Sequence, residues 1–407
     1  MSFLKNTLLS AAAVATVVAV MPSSSLAAGF QLGEQSVTGL GRAFAGGGVV
    51  GDDLSAIAYN PAGMSLAKGF QMQAGFIGVH INSKLHGTYT PVSGPSESGS
   101  AEIKDIVPVP SFYVTYQMND KFTLGLGTFA SYGFDIEYDP NWFGRAHAVD
   151  SNLKAVTINP SVSYKINDKW SIGAGFVAQR MTAKLTASTS KMKAEDWAYG
   201  YDVGIMYEPF KDTRFGLSYR SQVTHELDGH LYYPVDFGVG TDLDLPAFAT
   251  FGAYHKVNDW LGLSGTVRWT NWSTFKTLDI KNEAGNTISY VPENWKDTWY
   301  FAIGGDFYIN DKWTARAGWA YDSNPIKGAE YRTARIPDTY RYIVSLGLSY
   351  KWNEHLTFDA GYMHVFFDNT HIDNNALNPI THAPTSNLKS VYKSSLDLFG
   401  LQVQYKF

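Results

Sequence analysis

From Gly69 to Phe407 apolar and polar side chains alternate with a period of two, and no apolar run there reaches the roughly 20 residues a membrane helix needs. Such a chain can build strands and little else. In one segment Val156, Ile158, Val162, Tyr164 and Ile166 oppose Thr157, Asn159, Ser161, Ser163 and Lys165. In another, Tyr342, Val344, Leu346, Leu348, Tyr350 and Trp352 oppose Arg341, Ile343, Ser345, Gly347, Ser349 and Lys351. Side chains change face at each residue, so every strand has one apolar face and one small or polar face. A soluble sandwich alternates too. Here the apolar face ends in aromatics, as at membrane interfaces, and the other face of Gly, Ser, Thr and charge suits a wet or plugged lumen.

Turns divide the alternating region. Asn119-Asp120-Lys121, Asn167-Asp168-Lys169, Asn258-Asp259, Asn310-Asp311-Lys312 and Asn353-Glu354 each separate two strands, and Glu208-Pro209-Phe210-Lys211-Asp212 is a sixth case. Asn and Asp suit tight turns because they bond their own backbone. The longer polar connections are Lys84–Ile106, Ile136–Asp150, His230–Leu245, Lys276–Asn294, Pro325–Pro337 and Thr370–Lys389, with a short one at Ser188–Ala194. Six turns and seven loops predict an all-β fold: a fourteen-stranded antiparallel transmembrane barrel, an even number with no open edge.

The first 68 residues are different. Lys5, the apolar stretch Leu8–Met21 and Ser25-Leu26-Ala27 read as a signal peptide over residues 1–27, cleaved after Ala27. Residues 28–68 are rich in glycine and lack sustained alternation; residues 69–407 form the barrel. Export and a barrel together place the chain in the outer membrane of a Gram-negative cell. Aromatics make up 15% of the chain, enough for two interfacial belts. Cysteine is absent, which excludes thiol catalysis and thiolate metal sites. The net charge of −5 gives no reason to expect nucleic acid as a partner.

Parity turns Arg220, Arg268, Lys296, Arg316 and Arg341 towards the lumen. There a cation could meet a buried carboxylate, or form a structural ladder with Glu226, Asp202, Asp306 or Asp322. Arg180 and Lys184 fall on the outward parity. No catalytic triad spacing, metal-ligand cluster or phosphate loop stands out, and His147 reads as a hydrogen-bonded loop histidine. No enzyme activity, cofactor or metal is expected.

The mature start Ala28-Gly29-Phe30-Gln31-Leu32, then Gly39-Leu40-Gly41-Arg42-Ala43, Asp52-Asp53 and Asn60-Pro61-Ala62, resembles the FadL family of hydrophobic-compound transporters. Trp272-Ser273-Thr274-Phe275, Trp295-Lys296-Asp297 and Ile336-Pro337-Asp338-Thr339 extend the likeness along the chain. The resemblance implies an N-terminal hatch (plug) in residues 28–68 and passive uptake of long-chain fatty acids or other hydrophobic molecules. It also implies a kinked third strand through which ligand leaves sideways, for which Gly133 is the candidate. Lys296, where a family match falls, becomes the first choice for a ligand carboxylate, with Arg220, Arg316 and Arg268 behind it. Phe30 would meet an apolar tail. Asn60, Pro61 and Ala62 would seal or gate the lateral gap, or form an ordinary turn into the first strand. The third extracellular loop is shorter than in well-known members, so Trp142-Phe143 or Leu231-Tyr232-Tyr233 would supply an outer apolar patch. Partners follow: hydrophobic ligands, outer-membrane lipid and lipopolysaccharide, around a monomer. The alternatives are a general diffusion porin, a transporter of monoaromatic hydrocarbons, and a membrane-embedded hydrolase.

Overall fold

The computed structural model describes residues 29–232 and 235–407; the signal-peptide expectation for residues 1–27, and Tyr233, lie outside them. Nineteen strands are present among the described residues. In chain order they are β1 (Phe70–Pro91), β2 (Glu97–Gln117), β3 (Phe122–Glu137), β4 (Asp150–Lys165), β5 (Trp170–Ala187), β6 (Ser190–Phe210), β7 (Thr213–Arg220), β8 (Val223–Leu231), β9 (Phe237–Leu245) and β10 (Phe248–Lys256). The rest are β11 (Leu261–Thr270), β12 (Thr277–Asn282), β13 (Thr287–Pro292), β14 (Thr298–Tyr308), β15 (Trp313–Asp322), β16 (Arg341–Lys351), β17 (Leu356–Phe367), β18 (Thr370–Leu377) and β19 (Pro384–Lys406).

Fourteen of these close a ring by antiparallel pairing. β1 to β7 follow one another, β7 pairs with β10, then come β11, β14, β15, β16, β17 and β19, and β19 returns to β1. The remaining five lie off the ring: β8 pairs with β9 and the outer end of β6, β12 pairs with β13 and β9, and β18 pairs with the start of β19. Alternation predicted the wall but not these, because His230–Leu245, Lys276–Asn294 and Thr370–Lys389, expected as loops, contain β9, β12, β13 and β18.

The expected faces hold. On β16 Tyr342, Val344, Leu346 and Leu348 are exposed while Arg341, Ile343, Ser345 and Ser349 are buried. The turns repeat one chemistry: the Asn167 side-chain oxygen accepts from the backbone of Lys169 and Trp170, and Asn119, Asn258, Asn310 and Asn353 do the same for their own following residues. Beside the turns, outward rings pair across strands, with Trp170–Tyr207 at 4.2 Å and Trp313–Tyr350 at 4.4 Å, as an interfacial belt requires.

The lumen is occupied by residues 29–68, which carry the short helices α1 (Val37–Leu40) and α2 (Ala56–Tyr59) and a 3-10 turn at Pro61–Leu66. Small residues let this segment touch the wall on several sides. Gly41 meets Gly347 on β16 so closely that a Cβ on either would stand 2.7 Å from the other's Cα. Arg42 bonds Asp52 at 2.6 Å and Asp306 at 3.0 Å, and Arg316 reaches the same two carboxylates. These buried charges are paired, which is the condition for burying them at all.

One stretch of wall is incomplete. β2 and β3 pair only from Ser111↔Phe129 to Gln117↔Thr123; beyond Phe129, β3 keeps β4 on one side and on the other has only a bridge from Tyr132 to Gln31. A bulge at Ser131 shifts the β3–β4 register between Ala130 and Tyr132. The kink therefore lies two residues before Gly133, where the extra residue rather than the glycine bends the strand. The carbonyls that β2 leaves free are taken up from inside: Gln35 donates to Ala130 O at 2.6 Å, and the Leu32 amide donates to Ser131 O at 2.8 Å. The Gly133 amide donates to Phe30 O at 2.9 Å.

Candidate functional site

Next to this interruption Phe30 is buried among five rings. Tyr132, Phe134, Trp272, Phe275 and Trp295 surround it edge-on with centroids 4.8 to 6.2 Å away. Such edge-to-face contacts fix a rigid apolar wall. Two cavities flank the cluster. One of about 320 Å³ is lined by Phe30, Phe134, Leu153, Met192, Leu243 and other mostly apolar side chains. A smaller one of about 90 Å³ lies against both edges of the interruption, touching Ile103 on β2 and Ile136 on β3. Phe134, Arg335 and Ile336 line both.

Arg335 stands in the loop between β15 and β16. Its Nη1 donates to Ser151 Oγ at 2.7 Å and to Thr186 O at 3.3 Å. No ion pair involves it among the described residues, and the neighbouring Asp150 is held by Lys184. Burial pulls its pKa down to about 10, so it stays cationic at neutral pH. His147 lines the same cavity, bonds Ser386 at 3.1 Å and is held to about pKa 4 by burial and by Arg335. It is therefore neutral, as expected of a hydrogen-bonded loop histidine. Glu293 is also at this cavity; burial pushes it up to about 8, and Trp295 Nε1 donates to it at 2.7 Å. The site thus offers two adjoining, mostly apolar cavities bordered by Arg335, a cation with no ion pair among the described residues.

The residues expected from parity divide. Arg220, Arg316 and Arg341 do face inward, but each is engaged: Arg220 with Asp202 and Asn159, Arg316 with Asp306 and Ser349, Arg341 with Asp338. Of the three only Arg341 touches either cavity beside Phe30, the smaller one. The structural ladder accounts for them. Arg268 faces inward over the Tyr300 ring at 4.9 Å, beside a separate space of about 30 Å³ shared with Arg220. Lys296 is a correction. It is exposed on the outer side, with Nζ 3.4 Å from Tyr340 Oη, while Trp295 points inward. β14 begins only at Thr298, so parity cannot be carried back to residue 296.

Asn60, Pro61 and Ala62 do not lie at the interruption. Asn60 Oδ1 accepts from the Ala62 amide, its Nδ2 donates to Ile205 O on β6, and Ser163 on β4 donates to Ala62 O. The triplet fastens the segment to β4–β7, and Phe30, Gln31, Leu32 and Gln35 are what meet the broken edge. Trp142 and Phe143 form no outer patch: they are buried, with Trp142 stacked on Tyr138 at 4.1 Å. Leu231 is half-buried at the large cavity and Tyr232 is exposed. Arg335 escaped sequence reasoning because its loop has no periodicity; its only sign was its place beside Ile336-Pro337-Asp338-Thr339.

Residues 18–407 match the model of a family described as outer membrane protein transport protein (OMPP1/FadL/TodX). The chain is 30% identical to the long-chain fatty acid transport protein of Escherichia coli O6:H1, over 88% of this chain and 92% of that relative. It superposes on the crystal structure of a Pseudomonas aeruginosa FadL homologue with a TM-score of 0.85 and 28% identity, covering 93% of this chain and all of that one. The Ralstonia pickettii toluene transporter TbuX shares the fold, with a TM-score of 0.64 at 18% identity, covering 91% of this chain and all of that one.

Proposed function

The chain belongs to the OMPP1/FadL/TodX family of outer-membrane transport proteins, and we propose that it carries long-chain fatty acids inward through the cavity beside Phe30 and releases them sideways between β2 and β3. It is an outer-membrane β-barrel of a transport family, not of an enzyme family. The observation that carries the cargo is Arg335: a cation without a carboxylate partner among the described residues, on an apolar cavity that adjoins the broken wall. A fatty acid supplies what that arrangement lacks, an anionic head for Arg335 and an apolar tail for the rings. Residues 29–68 act as the hatch in this reading, with Phe30–Leu32 as the part that faces the exit. They fill the lumen, which argues against a general diffusion porin. Lipid and lipopolysaccharide meet the outer aromatic face, and one chain suffices for one barrel.

A second reading, uptake of monoaromatic hydrocarbons, draws on the ring cluster around Phe30. Uptake of labelled oleate and of toluene into proteoliposomes separates the two. Arg335→Gln is expected to weaken oleate affinity roughly 10- to 150-fold, the loss of a charge-assisted contact, and to leave toluene unaffected. Toluene uptake without oleate uptake would change the cargo. Free passage of small sugars with neither would leave a porin.

A further inference from the structure

The bulge at Ser131 is tied along the neighbouring strands to β6 and β8 by a chain of buried polar side chains. Gln179 on β5 donates from Nε2 to Ser131 Oγ at 2.6 Å and to Thr157 Oγ1 at 3.0 Å. Its Oε1 faces His225 Nε2 at 2.9 Å, and His225 Nδ1 faces Asp196 Oδ2 at 3.0 Å. His225 on β8 is fully buried, and Gln179 is nearly so. Ser131 Oγ lies 2.7 Å from Thr157 Oγ1 and 3.3 Å from Ala155 O, both on β4, and its own carbonyl receives the Leu32 amide. Five strands and the N-terminal segment are joined through these atoms.

We propose that Gln179 and His225 are positioning residues for the wall opening: they hold the Ser131 bulge, and with it the edge on which Leu32 and Phe30 rest. The inference rests on the sideways exit proposed above. Apolar side chains would fill the same space more cheaply, since a buried polar network is stable only when every member is satisfied. What the network adds is direction. With Asp196 on one ring nitrogen and Gln179 Oε1 turned to the other, this arrangement suits the protonated ring of His225, in which both nitrogens donate. Gln179 then donates to Ser131 and Thr157, and the Ser131 hydroxyl is left to donate to β4, at Thr157 Oγ1 or Ala155 O, and clamp the bulge to that strand.

When the ring is neutral, Nε2 accepts and the Gln179 amide must turn over. Its oxygen then competes with β4 for the Ser131 proton, and the clamp between the bulge and β4 is loosened. The groups facing His225 are Asp196 from β6, Gln179 from β5 and Leu243, its register partner, from β9. Burial outweighs the opposing pull of Asp196 and holds the ring below its ordinary value, so the clamped state is the acid one.

The absence of cysteine makes a direct test available. Ile136→Cys places a thiol beside the opening, and Val344→Cys places one on the lipid face of β16 as a reference. The measurement is the labelling rate of the first relative to the second by a bilayer-dissolved pyrene maleimide, between about pH 5 and about pH 8, where imidazoles titrate. The ratio is expected to fall on the acid side, and Gln179→Leu should raise it about fivefold or more and abolish its pH dependence, in line with ordinary coupling between sites. Should Gln179→Leu fail to assemble, His225→Asn keeps a donor for Asp196, loses Gln179, and carries the same expectation. An unchanged ratio and profile in the variant overturns the proposal, and so does equal acceleration at both thiols, which would mean general loosening. Oleate uptake by the unsubstituted protein is measured alongside. Its absence removes the transport reading and leaves the labelling ratio to judge the relay.

Discussion

Glu293 shows how a single carboxyl can set the behaviour of the site. It lines the large cavity, has Trp295 Nε1 as its donor, and its folded value of about 8 lies above its ordinary 4.5. Between those values the folded chain keeps a proton that the unfolded chain has lost. Stability therefore falls as pH rises from about 4.5 to about 8, the reverse of a salt-bridged carboxylate. Glu293→Gln should flatten this part of the profile, with its unfolding midpoint in urea from lipid bilayers holding steady over that interval. A slope equal to that of the unsubstituted protein would show that the group ionises freely when folded. Arg335 faces the same cavity as a cation, and a carboxyl that keeps its proton does not cancel that charge.

Strands and loops differed in how much of them could be read in advance. The period-two pattern of β16, with Tyr342, Val344, Leu346 and Leu348 outward, held residue by residue because hydrocarbon outside and polar filling inside impose opposite demands on successive positions. The Asn turns were equally legible, since the turn chemistry is local. Outside the ring the rule lapses. Lys296 precedes the first residue of β14 and points outward, Trp142 and Phe143 fold inward, and the cation that meets the apolar cavity, Arg335, sits in a loop whose course is set by contacts distant in sequence. The attachment of the Asn60-Pro61-Ala62 triplet is likewise tertiary. A Cβ added to Gly204 would stand 2.0 Å from Asn60 Oδ1, so that glycine is where β6 admits the triplet. Gly204→Val should push residues 60–62 off the wall and raise single-channel ion conductance in planar bilayers. Conductance at the level of the unsubstituted protein would mean that the segment is held well enough elsewhere.

At the scale of the whole molecule, wall and filling are separable in their bonding. The fourteen strands close the ring by their own pairings, and residues 29–68 bond to it through side chains, a short pairing at Tyr132 and the Gly46 amide on Gly265 O. A chain lacking residues 29–68 should still assemble, giving the heat-modifiable electrophoretic shift of a folded barrel, and should conduct ions. Failure to assemble would make the segment part of the folding core. The seam where β1 meets β19 has a further consequence. Gln71 is the partner of Lys406 and Ala74 of Val403, so the ring closes only when the two ends of the chain find each other. Loop-closure entropy and the distance along the chain make that the slow step. The N-terminal segment draws its partners from strands far apart in the chain, among them Asp306 on β14, Gly347 on β16 and Gln402 on β19, so its full set of contacts exists only once the ring has closed.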